Sequence, residues 1–587
     1  MSLTLQEIQT LLAADKPGNN IDQLAKIIDA LIALCTPYAQ LQANIKQLTK
    51  IKSNLKYSAT SESIADINLH IQALQKTTVQ FANHITLLLQ DMKSANASDL
   101  FSQSAFIDRA KALGYQFTDP ISDHKNASEG MCYGITHMGM QAFLAEDIST
   151  FQQRARSIHL LPLDYFKNDF AILRDAQRQF ILEKKSEQAK QISQLIVDCL
   201  AFFDGCMLYQ LPAKYNDWFQ KNNSVKRRQH ALESMPLTLS KQLEIPQKKP
   251  VRVSFFTGIY SQSELEKYLS VLEKTLKDTS FALCLSSTKH AVNLNYNHST
   301  KRWLLIDPNR LPGQEFTDHA PLAKKLLSCI PLEEGNIVRE NFIMASSIYT
   351  LAEHAQNTRG LLSTLEKNPA WQALHPPEKI NYTDDYGSTQ LGKAIAEGDY
   401  DAVERALVAG ANISQEHQKT PALHWVSLHH DKKITQLIEQ SQIFEELYAE
   451  VREYQAYLIQ KYSLTEKNIN TLATLSKEAL NKRPLAEQKF KATIDLLNTK
   501  QNTSFKSRIG DLEKVLKKHR KTLSQYQDSK GFFNTILKIF EIVAINLGLF
   551  KTEGQALTQN LDTHAKFFKS NKPRSSHPFT IKYIPKT

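Results

Sequence analysis

Cysteine is scarce and scattered in this chain of 587 residues. There are six cysteines, none in a C-x-x-C pair, and five of them lie in apolar runs such as "LIALC" and "FALCLSS". This distribution argues against a disulfide framework and a cysteine-based zinc site, and it fits a reducing compartment. We therefore expect no metal and no cofactor. Cys132 has a different setting, because it lies between Gly130 and Gly134 in "EGMCYG".

A basic, apolar leader is missing at the start of the chain. The opening residues, "MSLTLQEIQTLLAADKPGNN", are amphipathic, so no secretory signal peptide is predicted. The formal net charge is +11. Such a surplus favours an acidic partner such as a membrane surface, and we expect no nucleic-acid partner. The length predicts two to four domains.

The pattern along the chain predicts five parts. Residues 1–98 are almost free of glycine and proline after "KPGNN" and have helical apolar spacing, which predicts a helical bundle. Residues 99–350 mix helical and strand patterns, and 351–440 contain a short repeat. Residues 441–570 are again helical, and 571–587 form a polar, basic, proline-broken tail that we expect to be flexible and regard as a candidate secretion signal.

The mixed region has its helices first and its strands later. Strands are predicted at 251–258, 281–287, 290–297 and 302–309. This order predicts the α+β class, with helices and an antiparallel sheet.

A helix is predicted between the first two strands, in "SQSELEKYLSVLEKTLK". Ser263 and Glu266 have the spacing of a capping box. Its apolar stripe consists of Leu265, Leu269, Leu272 and Leu276.

Two short copies resemble ankyrin repeats. Thr389 and Leu391 in the first copy correspond to Thr420 and Leu423 in the second, close to the ankyrin period of about 33 residues. Two repeats are too few to be stable alone, so they should lean on neighbouring helices. A partner-binding surface and a packing module are both compatible with this pattern.

The C-terminal region contains a coiled-coil-like seam. Its members are Phe505, Ile509, Leu512, Leu516, His519, Leu523 and Tyr526. The outer face carries the basic residues Lys514, Lys517, Lys518, Arg520 and Lys521. We predict that these bind anionic membrane, with a solvated helix face as the alternative. The apolar run 531–550 has charges at its middle, which favours a buried or interfacial helix over a membrane span.

A predicted hairpin brings a histidine and an aspartate together. "KHAVNLNYNHSTKRWLLIDPN" has two strand-like runs around the polar turn "NHST". If the loop is His298-Ser299, or 297–300 in the same register, then Leu294 faces Trp303 and His290 faces Asp307. Opposed residues have Cβ atoms about 5 Å apart, within reach of an imidazole–carboxylate hydrogen bond. A three-residue turn or a bulge would destroy this alignment.

These residues and Cys132 have the chemistry of a thiol enzyme. A thiolate is stabilised at a helix N-terminus and beside an imidazolium. We predict Cys132 as nucleophile, His290 as base and Asp307 as the acid that orients it. The amide of Cys132 and the side chain of Asn126 are candidate oxyanion donors.

The order Cys, His, Asp resembles the papain-like cysteine proteases, specifically the YopT/AvrPphB type of bacterial effector protease. The similarity covers about 120–310 and lies in "GMCYG", "KHAVNL" and "LLIDPN". It implies a papain-like cysteine protease-like domain with the same three roles for Cys132, His290 and Asp307. In that family a glutamine six residues before the cysteine donates to the oxyanion, and here this position is Asn126.

The domain combination also resembles Legionella effectors delivered into host cells by type IV secretion. That resemblance implies a host protein substrate, a location in the host cytoplasm or peripherally on host membranes, and phosphoinositide as a candidate ligand of the C-terminal helices.

Other interpretations stay open. A lone buried cysteine is more often part of a core than a nucleophile, and His124 and His137 also lie near Cys132. The same triad serves proteolysis, deamidation, transglutamination or removal of a ubiquitin-like modifier. The remaining alternative is a catalytically inert scaffold that binds a host protein or membrane.

Overall fold

A computed structural model describes most of the chain. The described residues are 5–14, 21–55, 61–94, 100–117, 130–211, 249–287, 290–329, 342–365, 367–384, 387–417, 432–465, 482–501 and 504–524, with 420, 421, 426, 470–472, 474, 479, 480, 531, 532 and 534–537. They form two compact units. The first contains Met1–Ala402 and Ser414–His430, and the second contains Val403–Ile413 and Asp431–Thr587.

Helices fill the N-terminal half of the first unit. The first five are α1 (Leu5–Ala14), α2 (Ile21–Cys35), α3 (Gln42–Asn54), α4 (Ser61–Ser94) and α5 (Ser104–Ala112). The next four are α6 (Cys132–Leu144), α7 (Ile148–Leu160), α8 (Ala171–Leu182) and α9 (Ser186–Gln210). One hydrophobic core runs through all nine and continues to the sheet, from Ile8 to Tyr349. The predicted bundle 1–98 therefore shares its core with the helices that follow it.

The sheet is antiparallel and six-stranded. Its strands are β1 (Pro250–Tyr260), β2 (Phe281–Ser286), β3 (Ala291–Asn297), β4 (Arg302–Ile306), β5 (Gln314–Phe316) and β6 (Phe342–Leu351), in the order β1-β6-β2-β3-β4-β5. The predicted α+β class is confirmed.

Both faces of the central strands are buried, because helices cover each side. Alternate side chains of β3 point to opposite faces. Val292 and Leu294 pack in a core with α10 (Gln262–Thr275) and α11 (His319–Cys329). Asn293 faces α6, where Gly139 leaves room for Ile306 of β4. The predicted apolar face is therefore buried, and so is the face behind it.

The predicted register of the β3–β4 hairpin was wrong by two residues. Leu294 lies opposite Leu305, and Asn297 opposite Arg302, which leaves 298–301 as a four-residue loop. The side chain of Asn297 accepts hydrogen bonds from the amides of Ser299 and Thr300, and Lys301 adopts a left-handed conformation. The observed loop has the four residues of one of the two predicted loops but lies one residue later, and the Asx turn of Asn297 stabilises it there.

The capping box of α10 was also predicted two residues too late. Ser261, not Ser263, caps the helix, and Glu264, not Glu266, completes the box. Both pairs fit the spacing rule, and the helix begins two residues earlier than predicted. The leucine stripe was predicted correctly, because all four of its members are fully buried.

A helical segment follows the sheet. It contains α12 (Ala352–Leu365), α13 (Pro369–Leu374), α14 (Gln390–Ala396) and α15 (Tyr400–Val408). In the first predicted repeat, the hydroxyl of Thr389 caps α14 by accepting from the amide of Gly392, and Gly398 turns the chain with a positive φ. The second copy leads instead into a 31-residue helix, α16 (Lys432–Tyr462). An ankyrin array is therefore not confirmed.

The second unit is helical in its described residues. Besides α16 it contains α17 (Leu485–Asn498) and α18 (Phe505–Ser524). The predicted seam is buried on α18 from Phe505 to Leu523, while Tyr526 lies outside the described residues. Most of the run 531–550 also lies outside them.

Gly134 fixes the approach of α6 to α9. A Cβ at this position would lie 2.8 Å from the Cys206 Cα and closer still to its carbonyl oxygen. We expect Gly134→Ala to cost about 3 kcal/mol, because the backbone of α9 must move. Gly360 in α12 is the matched control, since nothing lies within 4 Å of its Cβ position. Gly360→Ala should stabilise by about 0.5–1 kcal/mol. Denaturant titration of both variants checks this contrast, and equal effects would contradict it.

Candidate active site

Cys132 is the first residue of α6 and is half-buried. The amides at this helix end are organised by two glutamines. The amide of Met131 donates to Gln103 Oε1 at 3.0 Å, and that of Gly134 donates to Gln210 Oε1 at 3.1 Å. The first amides of a helix have no intrahelical acceptor, and they create a positive potential there. The Cys132 thiol therefore lies where a negative charge is stabilised.

His290 and Asp307 lie together at the ends of two adjacent strands. His290 directly precedes β3 and Asp307 directly follows β4. Their side chains are only 2% and 4% exposed, and His290 Nε2 lies 2.8 Å from Asp307 Oδ1. Because Nε2 faces a carboxylate, it carries the proton and donates it. This fixes the imidazole and leaves Nδ1 for another partner.

The electrostatics connect all three predicted residues. Burial alone would lower the pKa of His290, but its hydrogen bond to Asp307 and its interaction with the Cys132 thiol raise it to about 9. Burial would raise the pKa of Asp307, but hydrogen bonds from His290 and the Asn309 amide hold it below its usual value. The carboxylate and the thiol thus act on the histidine in the same direction, and its charged form is favoured.

The predicted pair meets although the register differs. A shift of two residues keeps every side chain on the face to which it was assigned, since the strand period is two. In the observed register Asn309 continues the line opposite His290, and Asp307 reaches the imidazole diagonally. Diagonal neighbours are within reach of long side chains.

Gln103 and Asn309 belong to the site and were missed from the sequence. The Asn309 amide donates to Asp307 Oδ1 at 2.9 Å. Gln103 Nε2 donates to Asn309 Oδ1 at 2.9 Å, while its Oε1 accepts from Met131. Gln103 therefore joins the N-terminus of α6, which carries Cys132, to the loop that contains Asp307 and Asn309. No local motif distinguishes this glutamine, and its partners are far away in the sequence.

Three other candidate residues lie near Cys132 in the sequence: His124, Asn126 and His137. Asn126 and His124 lie outside the described residues, so the oxyanion role of Asn126 stays a prediction. His137 points away from the triad: its ring nitrogens contact the Tyr133 carbonyl at 2.9 Å and the Tyr349 hydroxyl at 3.3 Å. It is a buried histidine with structural partners.

The remaining five cysteines are buried. Burial raises the pKa of each of their thiols, for example to about 11 at Cys35 and about 12 at Cys329. Cys132 alone among the six is partly exposed. The chain therefore separates one accessible thiol from five inert ones.

The five basic residues of α18 lie on its exposed side, and acidic partners of Lys514, Lys517 and Lys518 are identified. Lys514 pairs with Asp511, Lys517 with Glu513, and Lys518 with Asp495. These pairs reduce the positive potential that the sequence suggested, because each carboxylate offsets one charge. Arg520 and Lys521 complete the set on the exposed face. Binding to anionic membrane stays a prediction, which liposome co-sedimentation would test.

No group of three histidine, cysteine, aspartate or glutamate side chains that could hold a metal ion occurs among the described residues.

No family model, no curated protein and no solved structure matches the chain. The chemistry of the site therefore has to be inferred from its own geometry.

Proposed function

We propose that the chain is a thiol-dependent acyl-transfer enzyme in which Cys132, His290 and Asp307 form the catalytic triad. The observation that carries this proposal is the position of His290, which is hydrogen-bonded to the Asp307 carboxylate at 2.8 Å and whose pKa is raised by the thiol of Cys132, the one partly exposed cysteine of the six. A nucleophile, a base and an orienting acid in contact are the arrangement that covalent acyl transfer needs.

The reaction follows from these contacts. His290 takes the thiol proton, and the Cys132 sulfur attacks the carbonyl carbon of an amide. The tetrahedral oxyanion forms beside the N-terminus of α6, where the Cys132 amide is a donor and Asn126 a candidate second donor. The imidazolium then protonates the leaving amine, and a thioester remains. Water releases the acid and restores the thiol, whereas an amine acceptor would give transamidation.

A papain-like protease acting on a host protein is the specific form that we propose. It is supported by a nucleophile at a helix N-terminus, with the histidine and aspartate at the ends of two adjacent strands. The resemblance to Legionella effectors supports a host-cell location, and the ankyrin-like first repeat supports a protein partner. Deamidation and transglutamination use the same residues and are the neighbouring reactions.

The experiment compares wild-type protein with Cys132→Ala in a eukaryotic cell extract. We expect new protein N-termini only with the wild type, because the variant lacks the nucleophile and keeps the fold. Glutamine-to-glutamate conversion or new isopeptide bonds would assign the reaction to deamidation or transglutamination instead.

The inert-scaffold alternative has its own outcome in the same design. If Cys132→Ala retains the full effect on cells, that effect comes from binding. Lys379→Met serves as the control for general damage, because it removes a partly buried ion pair with Glu264 away from the triad.

A further inference from the structure

A buried lysine contacts the turn that carries the catalytic histidine. Lys393 lies in α14, in the first ankyrin-like copy, and is 8% exposed. Its Nζ donates to the carbonyl oxygen of Ser287 at 2.7 Å. Ser287 follows β2, and His290 precedes β3.

Ser287 in turn holds the backbone of His290. The Ser287 amide donates to the His290 carbonyl at 2.8 Å, and the His290 amide donates to the Ser287 hydroxyl at 3.2 Å. The two residues thus close the β2–β3 hairpin with reciprocal bonds. One hydrogen bond from Lys393 to Ser287 and two between Ser287 and His290 therefore connect Lys393 to the backbone from which the imidazole projects.

Burying the ammonium group of Lys393 at this position carries a desolvation penalty. Burial lowers the pKa of Lys393 to about 8, partly offset by the carboxylates of Glu397 and Asp384. Burial, together with the same ammonium, lowers the pKa of His417 to about 4, so this neighbour is neutral. An apolar side chain of similar length would fill the space without the desolvation penalty. The charged donor is therefore explained by its acceptor, the Ser287 carbonyl.

We propose that Lys393 is a positioning residue for His290, and that helix α14 is thereby part of the catalytic apparatus rather than only a partner-binding element. This inference rests on the proposed function of the triad. Orientation of a base to within a fraction of an ångström depends on the groups behind it, and loss of such support weakens a site without removing any reacting atom.

The test uses Lys393→Met in the full chain, with Arg252→Met as the matched control. Arg252 of β1 pairs with Asp399, at the end of the α14–α15 turn, at 2.8 Å, so it anchors the same helix pair without touching Ser287. Hydrogen exchange of the 281–297 peptides reports on the hairpin directly. We expect exchange of the hairpin amides to rise about tenfold in Lys393→Met and to stay unchanged in Arg252→Met.

The second measurement is the pH profile of iodoacetamide alkylation at Cys132. In Lys393→Met we expect the rate at pH 6.5 to fall about tenfold and the profile to move toward that of an ordinary thiol. A merely structural role would leave this profile unchanged in the folded fraction. Unchanged exchange, or faster exchange with an unchanged profile, would overturn the proposal. If the wild-type thiol itself is unactivated, the proposed function fails first, and exchange still decides whether Lys393 fixes the turn.

Discussion

Iodoacetamide should modify Cys132 in the native protein about a hundredfold faster than any of the other five cysteines. Cys132 is the partly exposed thiol, it lies at a helix N-terminus, and it interacts electrostatically with His290. The other five are buried, and their thiolate forms are disfavoured. Mass spectrometry of tryptic peptides after brief alkylation measures the six rates. In guanidinium chloride the six rates should converge, which shows that folding creates the difference.

His290→Ala separates activation from simple exposure. Without the imidazole, Cys132 loses the group that accepts its proton and stabilises its thiolate, so its alkylation at pH 6 should fall by about tenfold or more. His137→Ala is the matched control, because His137 lies on α6 with Cys132 and has its hydrogen-bond partners outside the triad. Equal reactivity of Cys132 in the wild type and in His290→Ala would contradict a catalytic triad.

Asp307→Asn should reduce turnover by roughly two to four orders of magnitude, because the amide no longer fixes the tautomer of His290 or stabilises its charge.

The same change should reveal a pH-dependent part of the free energy of unfolding. The pKa of His290 is raised to about 9 in the folded protein, against about 6.5 in an unfolded chain. Its protonated form therefore stabilises the fold by about 3 kcal/mol below pH 6.5, and this contribution is lost as the pH rises through 9.

The carboxylate acts in the opposite direction on the acid side. The pKa of Asp307 is lowered in the fold, so its stabilising contribution is present above its unfolded pKa and is lost as the pH falls. The stability difference between wild type and Asp307→Asn should therefore be largest at pH 5–6.5 and shrink toward pH 9. Denaturant titrations at several pH values measure it. Asp399→Asn, which removes a partly buried ion pair with Arg252, should show no such decline between pH 6.5 and 9.

Much of the site was predictable because strand alternation and chain order constrain it. The runs around His290 and Asp307 alternate and are separated by a short polar turn, which places both residues at one end of a hairpin. An error of two residues in the register was harmless, since it preserved the face of each side chain. An error of one would have separated the pair.

The remaining parts of the site depend on long-range contacts that leave no local pattern. Gln103 meets Asn309 across 206 residues. Lys393 meets Ser287 across 106 residues, and neither lies in a motif that predicts the contact. The predicted start of α10 was wrong for a simpler reason. Ser261 and Ser263 both satisfy the capping-box spacing, and only packing decides between them.

Under the proposed function, the joining of α6 to the loop that carries Asp307 through Gln103 also determines when the Cys132 thiol becomes reactive. The segment 101–103 pairs with 308–311 through the Phe101–Leu311 bridge and the bond from the Gln103 amide to Pro308. Contacts between such distant segments form late, because the cost of closing long loops precedes their reward. A nascent or unfolded chain therefore carries six unremarkable thiols, and the reactive one emerges only on completion of the first unit. Latency of this kind requires no pro-segment and no inhibitor, since the order of folding provides it.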